Sequence, residues 1–413
     1  MLSFLKKQYR FWRGYAEALW FNYKNRQAKY DLLILDDFFP NPVSAFRYVE
    51  FSYYFKNMGK VIVQTSGQSL QLMNELRPIQ HFIKAYQTAY PDYAVTPFNA
   101  FKKPFAKTGY LVFLNNAYAF LPYIEKHRLD FVFCLYPGGG FNLNNEETDR
   151  KLRAVCGSPY FKGVIVSQRV THDYLRQNHY CREDQILHVF GVVTPMQNYT
   201  LPKSRTYFGL GKETLDICFM ANKYMKGGFD KGFDVFAEVA DKLKSHPHIR
   251  FHVVGPYSWE DAPLYDTRHV QYYGIKSTTE LNSFFEGMDI ILSPNRAFVL
   301  HGGAFDGFPT ASCTEGALKG VAIFTADPLQ LNTQFHDGEE IEIIGTDVVE
   351  IVSKIKYYEK NPEALRDLAL SGRERVKILY SENAQLIPRT QFLKNKLLLE
   401  PEPVPHLLHP SVD

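Results

Sequence analysis

Residues Asp289–Ala326, DIILSPNRAFVLHGGAFDGFPTASCTEGALKGVAIFTA, decide the fold. The stretch opens on DIILSP, a short apolar run of the kind found in strands buried on both faces. A glycine-bearing loop follows. Pro309 and Thr310 then lead into small residues, which sets the start of a short helix with Thr310 as its N-cap. VAIFTA supplies the next buried strand. Strand, loop, helix and strand make one βαβ unit, whose two strands run parallel. In open sheets built from such units, ligands gather beyond the carboxyl ends of the strands. Two carboxylates, Asp306 and Glu315, bracket the backbone at that end, and Gly302, Gly303 and Gly307 keep it free of bulk.

The same alternation extends outward in both directions. Upstream, DLLILDD (Asp31–Asp37), KVIVQT, YLVFLN, FVFCLYP (Phe131–Pro137), GVIVSQ and ILHVFGVV read as strands, with helices such as VSAFRYVEFSYYF between them. Nearer the opening stretch, LDICFMAN, IRFHVVG and VQYYG form a second series. Downstream lie helical segments over Val348–Tyr358, Pro362–Tyr380 and Leu386–Leu399, the last placed to cross back. Residues 196–214 are polar and aperiodic and read as a linker. The expectation is an α/β protein of two Rossmann-like, doubly wound domains, 31–195 and 215–380, facing each other across a cleft. A segment 1–30 precedes them and a helix and tail, 381–413, follow.

A chain of 413 residues suits more than one domain. Its net charge of +3 carries no nucleic-acid signature. Five scattered cysteines without CxxC spacing read as buried thiols in a reducing cytoplasm. No apolar run approaches the ~18 residues needed to span a bilayer. Residues 1–30 are different: seven Lys and Arg stand against one Glu. On a helical wheel Leu5, Tyr9, Trp12, Ala16, Leu19 and Tyr23 share a face, flanked by Lys6, Arg10, Arg13 and Lys24. Such a helix either lies on an anionic membrane surface, peripheral to the cytoplasmic face, or packs on the protein's own body.

Two further patterns bear on chemistry. The exposed N–H groups of a helix opening at Thr310 suit a phosphate. In DICFMANKYMKGGFDKGFDVF, Lys223 stands at a strand end and Lys231-Gly232 opens a helix. Two ammonium groups converging on one point suit a diphosphate leaving group.

Together these residues resemble the nucleotide-sugar-binding domain of retaining family-4 glycosyltransferases of the GT-B fold. Asn222-Lys223 and Lys231-Gly232 are similar to that family's Gly-Arg and Lys-Gly pair. Asp306, Gly307 and Phe308 are similar to its Glu-Gly-Phe loop, and Glu315 and Gly320 to its following helix. The resemblance covers residues 216–380. It departs in an aspartate at 306, one extra loop residue before Glu315, a lysine at 223, and no glycine-rich, histidine-bearing loop after the first strand. It implies transfer of a sugar from a nucleoside-diphosphate sugar to a saccharide or lipid-linked acceptor, without cofactor or essential metal, in polysaccharide assembly. Asp306, Lys223 and Lys231 would take part in the reaction. Glu315 would accept from ribose hydroxyls through an ordinary ionised carboxylate. Asn222, Gly303, Gly307, Phe308 and Thr310 would line the donor. Apart from the resemblance, His301 in VLHGG is a candidate contact for a donor hydroxyl or phosphate, beside a structural reading.

In the first half, YPGGGF places Tyr136, Gly138, Gly139 and Phe141 at a strand's end. Backbone free of side chains beside two aromatic rings suggests an acceptor or closure loop. Two other functions stay open at this stage. A non-catalytic subunit of the same fold would bind nucleotide or a partner, and a glycoside hydrolase would use Asp306 and Glu315 as its carboxylate pair.

Overall fold

The computed structural model describes residues 2–24, 30–72 and 75–397. The tail 398–413 lies outside the described residues, as do the side chains of Leu5, Lys6, Tyr9, Arg10 and Lys24.

Helix α1 (Leu2–Lys24) precedes the first sheet. That sheet holds β1 (Tyr30–Asp36), β2 (Val61–Thr65), β3 (Ala94–Pro97), β4 (Ala106–Val112), β5 (Asp130–Leu135), β6 (Phe161–Val166) and β7 (Ile186–His188). All run parallel, in the order β3-β2-β1-β4-β5-β6-β7. Between them lie α2 (Ala45–Asn57), α3 (Gln68–Leu72), α4 (Ile79–Ala89), α5 (Leu114–His127), α6 (Glu146–Cys156) and α7 (Arg169–Gln177). Helices cover both faces of the sheet, so β1 can bury Leu32, Leu33, Ile34 and Leu35 in succession. Each such side chain contributes roughly 1.5–3 kcal/mol on burial.

A short ladder of β8 (Tyr207–Phe208) and β9 (Gly211–Lys212) leads to the second sheet. It contains β10 (Leu215–Met220), β11 (Ile249–Val254), β12 (Gln271–Tyr272), β13 (Ile290–Ser293), β14 (Ala322–Ala326) and β15 (Glu342–Ile344). Its order is β12-β11-β10-β13-β14-β15, again parallel. Helices α8 (Phe233–Leu243), α9 (Thr278–Phe285), α10 (Ala311–Leu318), α11 (Val348–Lys360) and α12 (Pro362–Leu379) accompany it. Residues Asp289–Ala326 are therefore β13, loop, α10 and β14.

The second half of the expected linker is not free. The Arg205 guanidinium donates to the carbonyls of Phe285 (3.0 Å) and Gly320 (3.2 Å), and Lys212 pairs with the buried Asp289. These contacts dock residues 205–212 onto the second domain.

Helix α13 (Glu382–Lys396) crosses back and packs on α2 and β6 of the first domain. The wholly buried Arg389 anchors it. Its Nη1 lies 3.2 Å from the Cys134 sulfur and 3.9 Å from Glu50, and the guanidinium sits 5.6 Å from the centre of the Tyr136 ring. One core cluster continues from Phe141 and Leu143 of the first domain to Phe305 and Phe308 of the second.

Helix α1 is pinned along one edge. The Gly14 carbonyl accepts from Asn99, and the Asn22 side chain bonds both Phe101 O and Lys103 N. Ala18 is buried at this contact. The aromatic face read from sequence points elsewhere, for Trp12, Leu19 and Tyr23 are all more than half exposed. The packing reading of the helix therefore holds for the Gly14–Ala18–Asn22 edge. No helix among the described residues is long and apolar enough to cross a membrane.

Candidate active site

The loop after β13 builds the donor side. Ser293, the last residue of the strand, donates its hydroxyl to Asn295 Oδ1 (2.8 Å), which fixes the amide so that Nδ2 donates to Asp306 Oδ2 (2.6 Å). Lys231, from the turn after the neighbouring strand β10, closes on the same carboxylate at 2.6 and 2.7 Å to its two oxygens. The Lys231 stem is almost fully buried and its ammonium lies 5.0 Å from the centre of the Tyr224 ring. Gly232 explains why Lys-Gly must open α8. It adopts φ +69°, and a Cβ there would stand 2.0 Å from the Pro294 carbonyl oxygen. Only glycine lets the lysine-bearing turn seat against the β13 loop.

Asp230 was not singled out by sequence. It is buried, neither carboxylate oxygen has a hydrogen-bond partner, and Lys231 Nζ stands 3.7 Å away. Burial, helped by the negative charge of Asp306, raises its pKa.

Glu315 lies on the second turn of α10, in the wall of a cleft of about 740 Å³ between the domains. Burial pushes its carboxyl up to about 7, opposed by a hydrogen bond from Tyr199. This corrects the expectation of an ordinary ionised carboxylate. Thr310 does precede the helix, in extended backbone, but its side chain makes no capping bond; its hydroxyl turns to Ser312 (3.0 Å) and Cys313 (3.3 Å). Ala311 lines the cleft, so the helix start faces it. A lobe of about 220 Å³ shares Phe46, Phe113, Val192 and Ala311 with the main cleft and reaches Asp306, Gly307 and Thr310.

The opposite wall comes from the end of β1. Asp36 is buried and accepts from Phe38 N, Phe39 N and Arg47 Nε at 2.6–2.9 Å. That frame presents Asp37 to the cleft, where Ser69 donates to it at 2.5 Å and Arg47 lies at 3.3 Å. Burial and the neighbouring Asp36 raise the Asp37 pKa. Sequence reasoning passed over Asp37 as a strand-end residue. The available signal was its place at a carboxyl strand end, where α/β sheets hold ligands.

Several expected residues stand elsewhere. Lys223 and Lys231 hold different carboxylates: both oxygens of Asp261 hold the Lys223 ammonium at 3.0 Å, and the Tyr257 ring centre lies 5.7 Å from it. Asn222 offers its backbone carbonyl to the Tyr257 hydroxyl. Gly303 serves the domain contact instead of a ligand: its carbonyl accepts from Leu143 N (2.9 Å), and a Cβ would lie 1.9 Å from the Leu143 carbonyl oxygen. His301 is exposed and lines none of the cleft described here. Phe308 is core, with its carbonyl 3.4 Å from Gln168 Nε2 of the first domain.

On the acceptor side, Phe141 is fully buried against Tyr174 and Phe305, so it has no face to offer a sugar. Tyr136 is buried under Arg389 and reaches only the small lobe. Gly139 does line the main cleft, whereas Gly138 has open space around it. The YPGGGF loop thus joins the domains more than it meets a ligand. The Asp306 carboxylate is already taken up by Lys231 and Asn295.

Residues 236–386 match the family model described as glycosyl transferase-like. No curated protein matches the chain. Among solved structures it is similar to a glycosyltransferase from Rickettsia africae, at 16% identity and TM-score 0.61, over 90% of this chain and 99% of that one. It is also similar to HepE of Anabaena in complex with UDP, at 11% identity and TM-score 0.61, over 89% and 99%. TarM of S. aureus is similar at 15% identity and TM-score 0.53 over 70% of this chain; the match spans 54% of TarM, about half its length. The architecture is that of the GT-B glycosyltransferases, and the second domain carries the glycosyl transferase-like region.

Proposed function

We propose that this protein transfers a hexosyl group from a nucleoside-diphosphate sugar to a hydroxyl of a saccharide or lipid-linked acceptor, in the assembly of a cell-surface polysaccharide. The observation that carries the reading is one continuous cleft. It joins Asp306 and Glu315 on one wall to Asp37 on the other, where two parallel sheets turn their carboxyl ends toward each other. The HepE structures described with UDP and with UDP-glucose, and the TarM structure described with UDP and α-GlcNAc-glycerol, support a nucleotide-sugar donor and a saccharide acceptor.

In this reading Glu315 accepts from the ribose hydroxyls and the start of α10 meets the diphosphate. Lys231 has the larger part in leaving-group stabilisation. A diphosphate would draw its ammonium away from Asp306, whose oxygens then accept from donor sugar hydroxyls. The ammonium and the helix N-terminus supply the positive charge, so the reaction proceeds without a metal. Asp37, set by Ser69 and Arg47, holds the acceptor hydroxyl. The bond from the anomeric carbon to phosphate oxygen breaks, the acceptor oxygen replaces it with retention, and the acceptor proton leaves with the phosphate.

Helix α1 holds the enzyme against an anionic cytoplasmic membrane surface, with Trp12, Leu19 and Tyr23 toward lipid, and the excess of lysine and arginine in residues 1–30 supplies the attraction to headgroups. Turnover of a panel of nucleoside-diphosphate sugars by wild type and Lys231→Met tests the reading. A non-catalytic subunit would bind a nucleotide and release no product from any donor.

A further inference from the structure

We propose that His246, His248 and Glu359 form a binding site for a divalent transition cation of the zinc class, on the second domain and away from the cleft. The two histidines flank Pro247 in the turn between α8 and β11, and Glu359 lies in the last turn of α11. His246 Nδ1 stands 3.4 Å from Glu359 Oε1, and His248 Nε2 contacts the same oxygen. All three ligand atoms lie within 4.8 Å of one another. A tetrahedral cation with bonds of about 2.0–2.1 Å spaces its ligands about 3.3–3.4 Å apart. One such edge, His246 Nδ1 to Glu359 Oε1, is already in place, and the His248 contact to that oxygen would open as the cation enters.

The site is built before any ion arrives. His246 N donates to Leu243 O and Ile249 N to His246 O, both at 3.0 Å, and Leu215 N donates to His248 O at 2.8 Å. The His248 ring stacks on Phe208 with planes 11° apart. Helices α8 and α11 pack directly on each other, which fixes the glutamate relative to the turn. Among the described residues no lysine or arginine pairs with Glu359; its charge meets only the two imidazoles. The side chains of His246 and His248 are 29% and 38% exposed, so water can complete the coordination.

Two imidazoles and one carboxylate suit zinc or its neighbours, whereas magnesium and calcium favour sets made of oxygen alone. The site lies at the amino end of β11, and the cleft lies beyond the carboxyl ends of the strands. A cation there staples α11 to the α8–β11 turn and takes no part in transfer.

The full chain, stripped with EDTA, is titrated with zinc sulfate by calorimetry, and its thermal midpoint is read with and without zinc. One equivalent should bind and raise the midpoint. His246→Ala/His248→Ala should weaken binding by about 100-fold and abolish the rise, with Glu359→Gln weakening it by about 10-fold or more. Cys156→Ser/Cys181→Ser, which removes the thiol pair in contact at 3.7 Å, should bind zinc as wild type does. If the histidine variant fails to fold, Glu359→Gln decides. Wild type that takes up no zinc at micromolar concentration, or Glu359→Gln with unchanged affinity, overturns the proposal.

Discussion

Glu315→Gln should make the protein more stable at pH 8 and worse at binding nucleotide. Burial raises the carboxyl from the ordinary glutamate value to about 7. A folded-state pKa above the unfolded one means the native state holds the proton more tightly. Stability from this group is therefore full below about pH 4.5 and is lost as pH rises through 7. Each pH unit of that interval is worth about 1.4 kcal/mol, so the loss by pH 8 is at most about 3.5 kcal/mol; the cleft-facing edge admits water and reduces it. Glutamine keeps the acceptor for Tyr199 and has no charge to bury. The variant should match wild type near pH 4 and exceed it at pH 8, at about 2–4 °C in midpoint per kcal/mol for a domain of this size. Scanning calorimetry across that range reads the difference. Nucleoside-diphosphate affinity should meanwhile fall, since a hydrogen bond to a charged group is worth about 1.5–3 kcal/mol. A wild-type curve no more pH-sensitive than that of Glu315→Gln would refute the burial argument, and unchanged nucleotide affinity would refute the ribose assignment.

The two lysines should separate. Lys231→Met should lower turnover by about 100-fold or more, in line with loss of a preorganised donor, whereas Lys223→Met, which removes a partner of Asp261, should cost far less; equal losses would put both at the phosphates. Asp37→Asn should raise the acceptor KM while leaving nucleotide affinity by calorimetry as it is, and a matching loss of nucleotide affinity would move Asp37 to the donor side. Reversing Lys6, Lys7, Arg10 and Arg13 to Glu should abolish salt-sensitive binding to anionic vesicles, each basic residue near such a surface contributing about 1 kcal/mol; binding that survives in co-sedimentation removes the membrane role of α1.

Strand and helix order was legible because buried parallel strands are apolar without interruption, as Leu32–Leu35 show, and because Pro and Gly punctuate the loops. Lys231-Gly232 was legible as well, since a left-handed glycine at that turn leaves few alternatives. What sequence could not give was the direction of side chains at strand ends. Lys223 looks alike whether it faces a phosphate or Asp261, and Asp261 lies 38 positions later in a separate loop. The YPGGGF loop shows its glycines but not that Phe141 turns inward to Phe305, because that contact belongs to the other domain. Glu315 reads as a ligand carboxylate from its neighbours; its raised pKa comes from burial, against the opposing hydrogen bond of Tyr199, and only the packed domains supply both. Arg389, wholly buried in the first domain although it lies on the last helix, carries no local mark of its destination.

Product release from a panel of nucleoside-diphosphate sugars, followed by mass spectrometry of both nucleotide and glycosylated acceptor, tests the central claim most directly. One or a few donors should yield nucleoside diphosphate and acceptor product together with wild type, and Lys231→Met should yield almost none while keeping its fold. Binding of nucleotide without product from any donor, or product formation indifferent to Lys231, would contradict the account.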